Sequence, residues 1–326
     1  MKSVQKFLFV ASVVIVLIAS FIILRPKSNP LLIEELKGGR YPGSNIEIEE
    51  TLKPEKTYSR YIVSYYSQGL KLYGLLLVPN TKKPVNGYPV IVLSHGYIIP
   101  EKYTPDGNYT AYFDAFADAG YIVFKPNYRG HGKSEGVPGS AYFSSDYVID
   151  VLNGISSIKR FGEVDKERIG IWGHSMGGNI SLKVVEVSKD IKALSIWSGV
   201  VAPINDIIYN WQGRVSYKPD LLDLELRNKG VEKLLQEHGT PSKNPMFWDK
   251  IDPNTYLSDI NIPIQISVGL SDNQVPPDFS KGLYERLILL NKDVEYFEYR
   301  GANHDINQSF SDAMKNTLVF FDRYLK

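Results

Sequence analysis

Arg168-Ile169-Gly170-Ile171-Trp172-Gly173-His174-Ser175-Met176-Gly177-Gly178-Asn179-Ile180-Ser181-Leu182-Lys183-Val184-Val185 is the stretch that decides the fold. A short apolar run closes in Gly173-His174-Ser175-Met176-Gly177, and a helix-forming segment opens directly behind it. The pattern predicts a strand, a sharp turn and a helix, with a serine at the apex and glycine on both flanks. A serine hydroxyl is a weak nucleophile, and such a turn exposes it to a base and a substrate while leaving no room for flanking side chains. The free N–H groups and positive dipole end of the helix favour negative charge near Ser175. Alone, G-x-S-x-G recurs by chance as an ordinary glycine turn, so its meaning depends on its surroundings.

Upstream of the elbow, Tyr61 to Tyr66 and Lys71 to Pro79 flank Gln68-Gly69 and predict an antiparallel hairpin. Strand and helix then alternate: strand Val90 to Leu93, helix Tyr112 to Ala119, strand Tyr121 to Phe124, helix Tyr142 to Lys159, strand Arg168 to Trp172. Downstream come strands Ala193 to Trp197 and Pro263 to Val268, helix Pro277 to Leu290, strand Val294 to Tyr299 and helix Phe310 to Leu325. Short apolar strands between amphipathic helices predict an α/β fold with a mostly parallel sheet covered on both faces. An insert of about 200–258 precedes the strand at Pro263; it carries the amphipathic stretch Leu221 to Leu235 and the aromatics Trp211, Tyr217, Phe247 and Trp248. It reads either as packed surface helices or as a cap shaping a pocket, with Trp211, Tyr217 and Trp248 as candidate pocket residues.

The 326 residues, 43% hydrophobic and 12% aromatic, suffice for one α/β domain with a full core. Net charge is +1, which gives no electrostatic case for a nucleic-acid partner. There is no cysteine, hence no disulfide or thiolate metal site. Phe7 to Leu24 is an uncharged run that would span ~27 Å as a helix. It predicts a single N-terminal membrane anchor (1–25) with the catalytic domain on the extracytoplasmic side; a cleaved signal peptide and secretion is the alternative. Residues 26–57, rich in Pro, Gly and charge, read as a tether or packed extension before a catalytic domain at 58–326.

A serine nucleophile needs a general base, and the chain has five histidines. His174 lies inside the elbow, His95 and His131 in early glycine-flanked loops, and His238 in the insert. His304, in the loop after the last strand, stands where an open parallel sheet collects its functional loops. Asp272, in Gly269-Leu270-Ser271-Asp272-Asn273-Gln274-Val275-Pro276, follows the preceding strand and is the candidate to orient that base. A developing oxyanion gains roughly 3–4 kcal/mol from each preset donor. The candidates are the Met176 N–H and the Tyr97 N–H in Ser94-His95-Gly96-Tyr97, with the Tyr97 phenol as an alternative. No paired metal-ligand spacing and no phosphate loop is present, so no cofactor is expected.

With these residues placed, the chain resembles an α/β-hydrolase, and in particular the catalytic domain of the prolyl-oligopeptidase-like serine hydrolases. The resemblance rests on Gly74 to Pro79, on Asn127-Tyr128-Arg129-Gly130-His131-Gly132-Lys133-Ser134, and on Val164 to Gly178, and it covers about 58–326. It implies an acyl-enzyme on Ser175 with the order Ser, Asp, His, and structural rather than catalytic roles for Arg129, His131, Asp165 and Arg168. Oligopeptide-cleaving relatives carry a large β-propeller, for which this chain has no room. Carboxylic esters with an apolar or aryl acyl group are therefore the expected substrates. A short-peptide hydrolase and a membrane-tethered binding module without activity are the alternatives.

Overall fold

A nine-stranded sheet organises the computed structural model, which describes residues 31–326; these form one compact unit. The strands are β1 (Glu47–Thr51), β2 (Tyr58–Ser67), β3 (Leu70–Pro79), β4 (Tyr88–Ser94), β5 (Ile122–Pro126), β6 (Val164–His174), β7 (Ile191–Trp197), β8 (Ile264–Gly269) and β9 (Val294–Tyr299). Their order is β1-β2-β3-β5-β4-β6-β7-β8-β9, antiparallel from β1 to β5 and parallel from β5 to β9. The hairpin is as expected: β2 and β3 pair without a slip around Gln68 and Gly69, both at positive φ, as a two-residue turn requires.

The helices are α1 (Ile33–Lys37), α2 (Thr110–Asp118), α3 (Asp146–Ile158), α4 (Met176–Val187), α5 (Leu221–His238), α6 (Pro245–Ile251), α7 (Pro277–Leu289) and α8 (Phe310–Leu325). Two apolar clusters cover the two faces of the sheet. Val90 and Val92 of β4 join Val148, Ile180 and Leu283 from α3, α4 and α7. Ile91 and Leu93, one residue out of phase, join Phe113, Phe116, Phe320 and Phe321 from α2 and α8. The period of two along β4 therefore sorts its side chains between two buried layers, which is why the strand reads as a continuous apolar run.

This topology positions the site. The chain leaves β4 toward β5 on one side and leaves β6 toward β7 on the other, so a crevice opens beyond the carboxyl ends of β4 and β6. The loops after β4, β6, β8 and β9, which carry Tyr97, Ser175, Asp272 and His304, all emerge at that edge.

Upstream of Tyr58 the described chain is part of the same sheet and core: β1 pairs with β2, and Ile33 and Leu36 are buried. One expectation is corrected, that of a membrane anchor and of the extracytoplasmic location drawn from it. Phe7 to Leu24 lies outside the described residues, and among those described no helix is long and apolar enough to cross a membrane. Even the 18-residue α5 carries Asp223, Glu225, Arg227, Lys229, Glu232, Lys233 and Glu237, a charge load that hydrocarbon does not accept.

Candidate active site

Ser175 sits between the end of β6 and the start of α4 at φ 54°, ψ −120°, outside the regions L-residues ordinarily occupy. The turn is held from both sides. Its N–H donates to the Trp197 carbonyl (3.0 Å), and its carbonyl accepts from Gly178 N (3.0 Å) and Val200 N (3.1 Å). Glycine at 177 has a steric cause, because a Cβ there would overlap the Ser94 carbonyl oxygen. Glycine there lets the elbow pack closely against the backbone of Ser94 and His95 at the end of β4.

His304 and Asp272 meet beyond the carboxyl ends of β9 and β8. His304 Nδ1 donates to Asp272 Oδ2 at 2.7 Å, with both side chains buried. The other carboxylate oxygen, Oδ1, accepts from Gln274 N (2.8 Å) and Val275 N (2.9 Å). Three donors therefore converge on one buried carboxylate, fixing its rotamer and, through Nδ1, the tautomer of His304. His304 and Ser175 line the same cavity.

The two oxyanion candidates differ in standing. Met176 opens α4, so its N–H is among the four that the helix itself does not satisfy. Tyr97 lines the cavity, but its phenol donates to Asp220 Oδ1 (3.1 Å) on the insert. The hydroxyl is drawn away, which favours the backbone N–H over the phenol. The neighbouring Gly96 N–H is already used, donating to Tyr109 Oη at 2.7 Å.

The cavity has a volume of about 350 Å³. Trp211 and Tyr217 of the insert line it; Trp248 does not. Trp248 is buried in the apolar layer on one face of the sheet, its indole donating to the Gly239 carbonyl (3.0 Å) and its ring edge-on to Phe247, so it serves the core. What sequence reasoning missed is Asp223 and Arg227, which also line the cavity. Arg227 Nε and Nη2 both reach the Asp223 carboxylate, and the guanidinium lies over Trp211 at 4.1 Å. Spaced i,i+4 on an amphipathic helix, such a pair reads as a solvated face. Its burial depends on Trp211, which precedes the helix and folds back over the pair, so no local signal around Asp223 and Arg227 reveals it.

Comparison with known proteins bears on the fold. The family described as "Serine aminopeptidase, S33" matches residues 88–227. The acetyl xylan esterase from Paenibacillus sp. R4 superposes with a TM-score of 0.67 at 18% identity, over 90% of this chain and 92% of that one. The chain has the α/β-hydrolase fold. The chain is also similar to the "Uncharacterized peptidase YtmA" of Bacillus subtilis, 27% identical over 77% of this chain and 88% of that protein. The Pyrococcus horikoshii acylaminoacyl peptidase superposes with a TM-score of 0.64 at 23% identity, over 83% of this chain but only 42% of that chain.

The other charged residues singled out in the sequence make ion pairs within the fold. Arg129 binds the buried Asp150 through Nε (3.0 Å) and Nη2 (2.7 Å) and reaches Asp146 through Nη1 (2.9 Å). Arg168 Nε binds Asp165 Oδ2 at 2.7 Å. Among the described residues no cluster of three or more His, Cys, Asp or Glu could hold a metal ion.

Burial holds three histidines neutral. It pushes His131 and His174 down to about 4 from 6.5, and His95 well below 6.5. Between pH 6.5 and 4 the unfolded chain binds protons at these positions and the folded one does not, so stability falls as pH falls through that window. Each histidine contributes a slope of up to about 1.4 kcal/mol per pH unit. Urea denaturation at about pH 7.5, 5.5 and 4.5 checks this, with a shallower pH dependence expected for His131→Gln.

Proposed function

We propose that the protein cleaves carboxylic esters through an acyl-enzyme on Ser175. The observation that carries the reading is the buried Asp272–His304 bond at the wall of the cavity that Ser175 also lines. Ser175 Oγ attacks the ester carbonyl carbon as its proton passes to His304 Nε2. Asp272 stabilises the resulting imidazolium, and the Met176 and Tyr97 N–H groups receive the oxyanion. Collapse of the intermediate breaks the acyl–oxygen bond, and His304 returns the proton to the leaving alcohol. Water, giving its proton to His304, then attacks the acyl carbon, and Ser175 recovers its proton as the acid leaves.

The aromatic wall of Trp211, Tyr142 and Tyr217 supports an apolar or aryl acyl group, and the Asp223–Arg227 pair adds a polar contact to it. A short peptide is the second reading, favoured by the peptidase names among the relatives.

The test is a fluorophosphonate probe together with p-nitrophenyl esters of increasing chain length and aminoacyl p-nitroanilides. Labelling of the folded protein, with kcat/KM at least about tenfold higher on esters than on anilides, supports the ester reading. The reverse preference replaces it with the peptide reading. Absence of both labelling and turnover would favour a binding module without activity.

A further inference from the structure

Tyr109 and His174 form a hydrogen-bonded link between the loops that carry Tyr97, Ser175 and His304. Gly96 N–H, in the loop after β4, donates to Tyr109 Oη at 2.7 Å. Tyr109 Oη lies 2.7 Å from His174 Nδ1, and His174 Nε2 lies 3.2 Å from the carbonyl oxygen of His304. Burial raises Tyr109 well above its ordinary range, and burial next to His304 lowers His174 to about 4, so both are neutral near pH 7.

Neutrality fixes the protons. Nε2 of His174 faces a carbonyl, which only accepts, and the Asp305 carboxylate is 3.6 Å from the same atom. The single imidazole proton therefore belongs on Nε2, leaving Nδ1 as an acceptor. Tyr109, already accepting from Gly96, donates its hydroxyl proton to Nδ1. The opposite tautomer would set the Nε2 lone pair against two acceptors, so one arrangement satisfies every group.

The surroundings hold the link in place. Tyr109 adopts φ 69°, ψ 23° at the start of α2, a left-handed conformation uncommon for an aromatic residue. Its ring is edge-on to His174 at 5.6 Å, and the His174 and His304 rings are 4.7 Å apart. A Cβ at position 96 would come within 2.7 Å of Tyr109 Oη, so the loop approaches the hydroxyl as closely as only glycine allows.

We propose that Tyr109 and His174 are positioning residues, which hold the loop of Tyr97 and the loop of His304 in register with Ser175 through the chain Gly96 N–H, Tyr109 Oη, His174, His304 C=O. The proposal rests on the reading of Ser175, Asp272 and His304 as the reacting set. It acts through those groups, and neither residue exchanges a proton with substrate.

The experiment uses the full chain and its Tyr109→Phe, His174→Gln, His174→Leu and Tyr109→Phe/His174→Leu variants, with p-nitrophenyl butyrate as probe. Tyr109→Phe is expected to lower kcat about tenfold or more with KM changed less than about twofold, because positioning is expressed in the transition state. His174→Gln, whose amide can still donate toward the His304 carbonyl, should retain more activity than His174→Leu. The double variant should lose no more than about the larger single loss, as groups acting in one chain do. Unchanged kcat in Tyr109→Phe, equal activity of the Gln and Leu variants, or multiplicative losses in the double variant would overturn the proposal. Thermal midpoints identify any variant that fails to fold. Independently of turnover, ¹⁵N spectra of the imidazoles should show His174 as the Nε2–H tautomer from about pH 5.5 to 8, and the Nδ1–H form would overturn the link. Full activity of Ser175→Ala would instead refute the reading of the reacting set, while the tautomer still decides the link itself.

Discussion

Ser175→Ala is expected to lower kcat on a p-nitrophenyl ester by about 10⁶-fold and to abolish fluorophosphonate labelling, with the fold unchanged. The size follows from the mechanism: without Oγ no acyl-enzyme forms, and the oxyanion donors and cavity can only assist attack by water. Alanine and serine meet the same backbone demand at φ 54°, ψ −120°, so the substitution should leave stability within about 0.5 kcal/mol. Ser175→Gly separates chemistry from strain. It also lacks the nucleophile but accepts positive φ freely, and should raise stability by about 1 kcal/mol if the elbow holds serine in a disfavoured conformation. Steady-state kinetics and urea denaturation of the three proteins measure both effects. Retained turnover in the alanine variant would remove Ser175 from its role.

The parts of this architecture that announce themselves in sequence are those whose cause is local. The continuous apolar run Val90 to Leu93, the hairpin turn at Gln68-Gly69 and the amphipathic Phe310 to Leu325 each encode their own element, and β9 and α8 lie where the residues alone placed them. The spatial pairing of Asp272 with His304 was legible for a related reason, since parallel strands bring their carboxyl-end loops together. Residues 47–51 gave no such signal. All five residues of β1 are exposed, and the strand is held by pairing with β2 and by Glu49, which accepts from Ser64 and pairs with Lys71, so it carries little apolar pattern to read. Asp223 and Arg227 were hidden because their helix spacing is that of a solvated ion pair, and the indole that covers them comes from a distant turn. Tyr109 and His174, 65 positions apart, were hidden in the same way: their relation exists only once β4, β6 and β9 align their ends. Trp248 misled in the opposite direction, since an aromatic residue in an insert can as readily anchor that insert in the core as line a pocket.

Asp272→Asn is expected to lower kcat by about 10⁴-fold while leaving stability nearly unchanged. The carboxylate performs two tasks with different atoms. Oδ1 anchors its loop by accepting from Gln274 N and Val275 N, and an asparagine carbonyl can do the same. Oδ2 accepts from His304 Nδ1, and there the amide would present N–H groups instead. His304 must then turn its Nδ1 lone pair toward the amide and carry its proton on Nε2, where the base is required. The imidazole remains in place in the wrong tautomer, and the negative charge that would stabilise its protonated form is gone. Asp272→Ala removes both tasks, leaves the two backbone N–H groups without acceptors, and should additionally lose about 1–3 kcal/mol of stability. The comparison of kcat and thermal midpoint across the two variants therefore distinguishes an orienting carboxylate from a loop anchor. If asparagine were as active as aspartate, the turn at Gln274 and Val275 would be the whole role of Asp272.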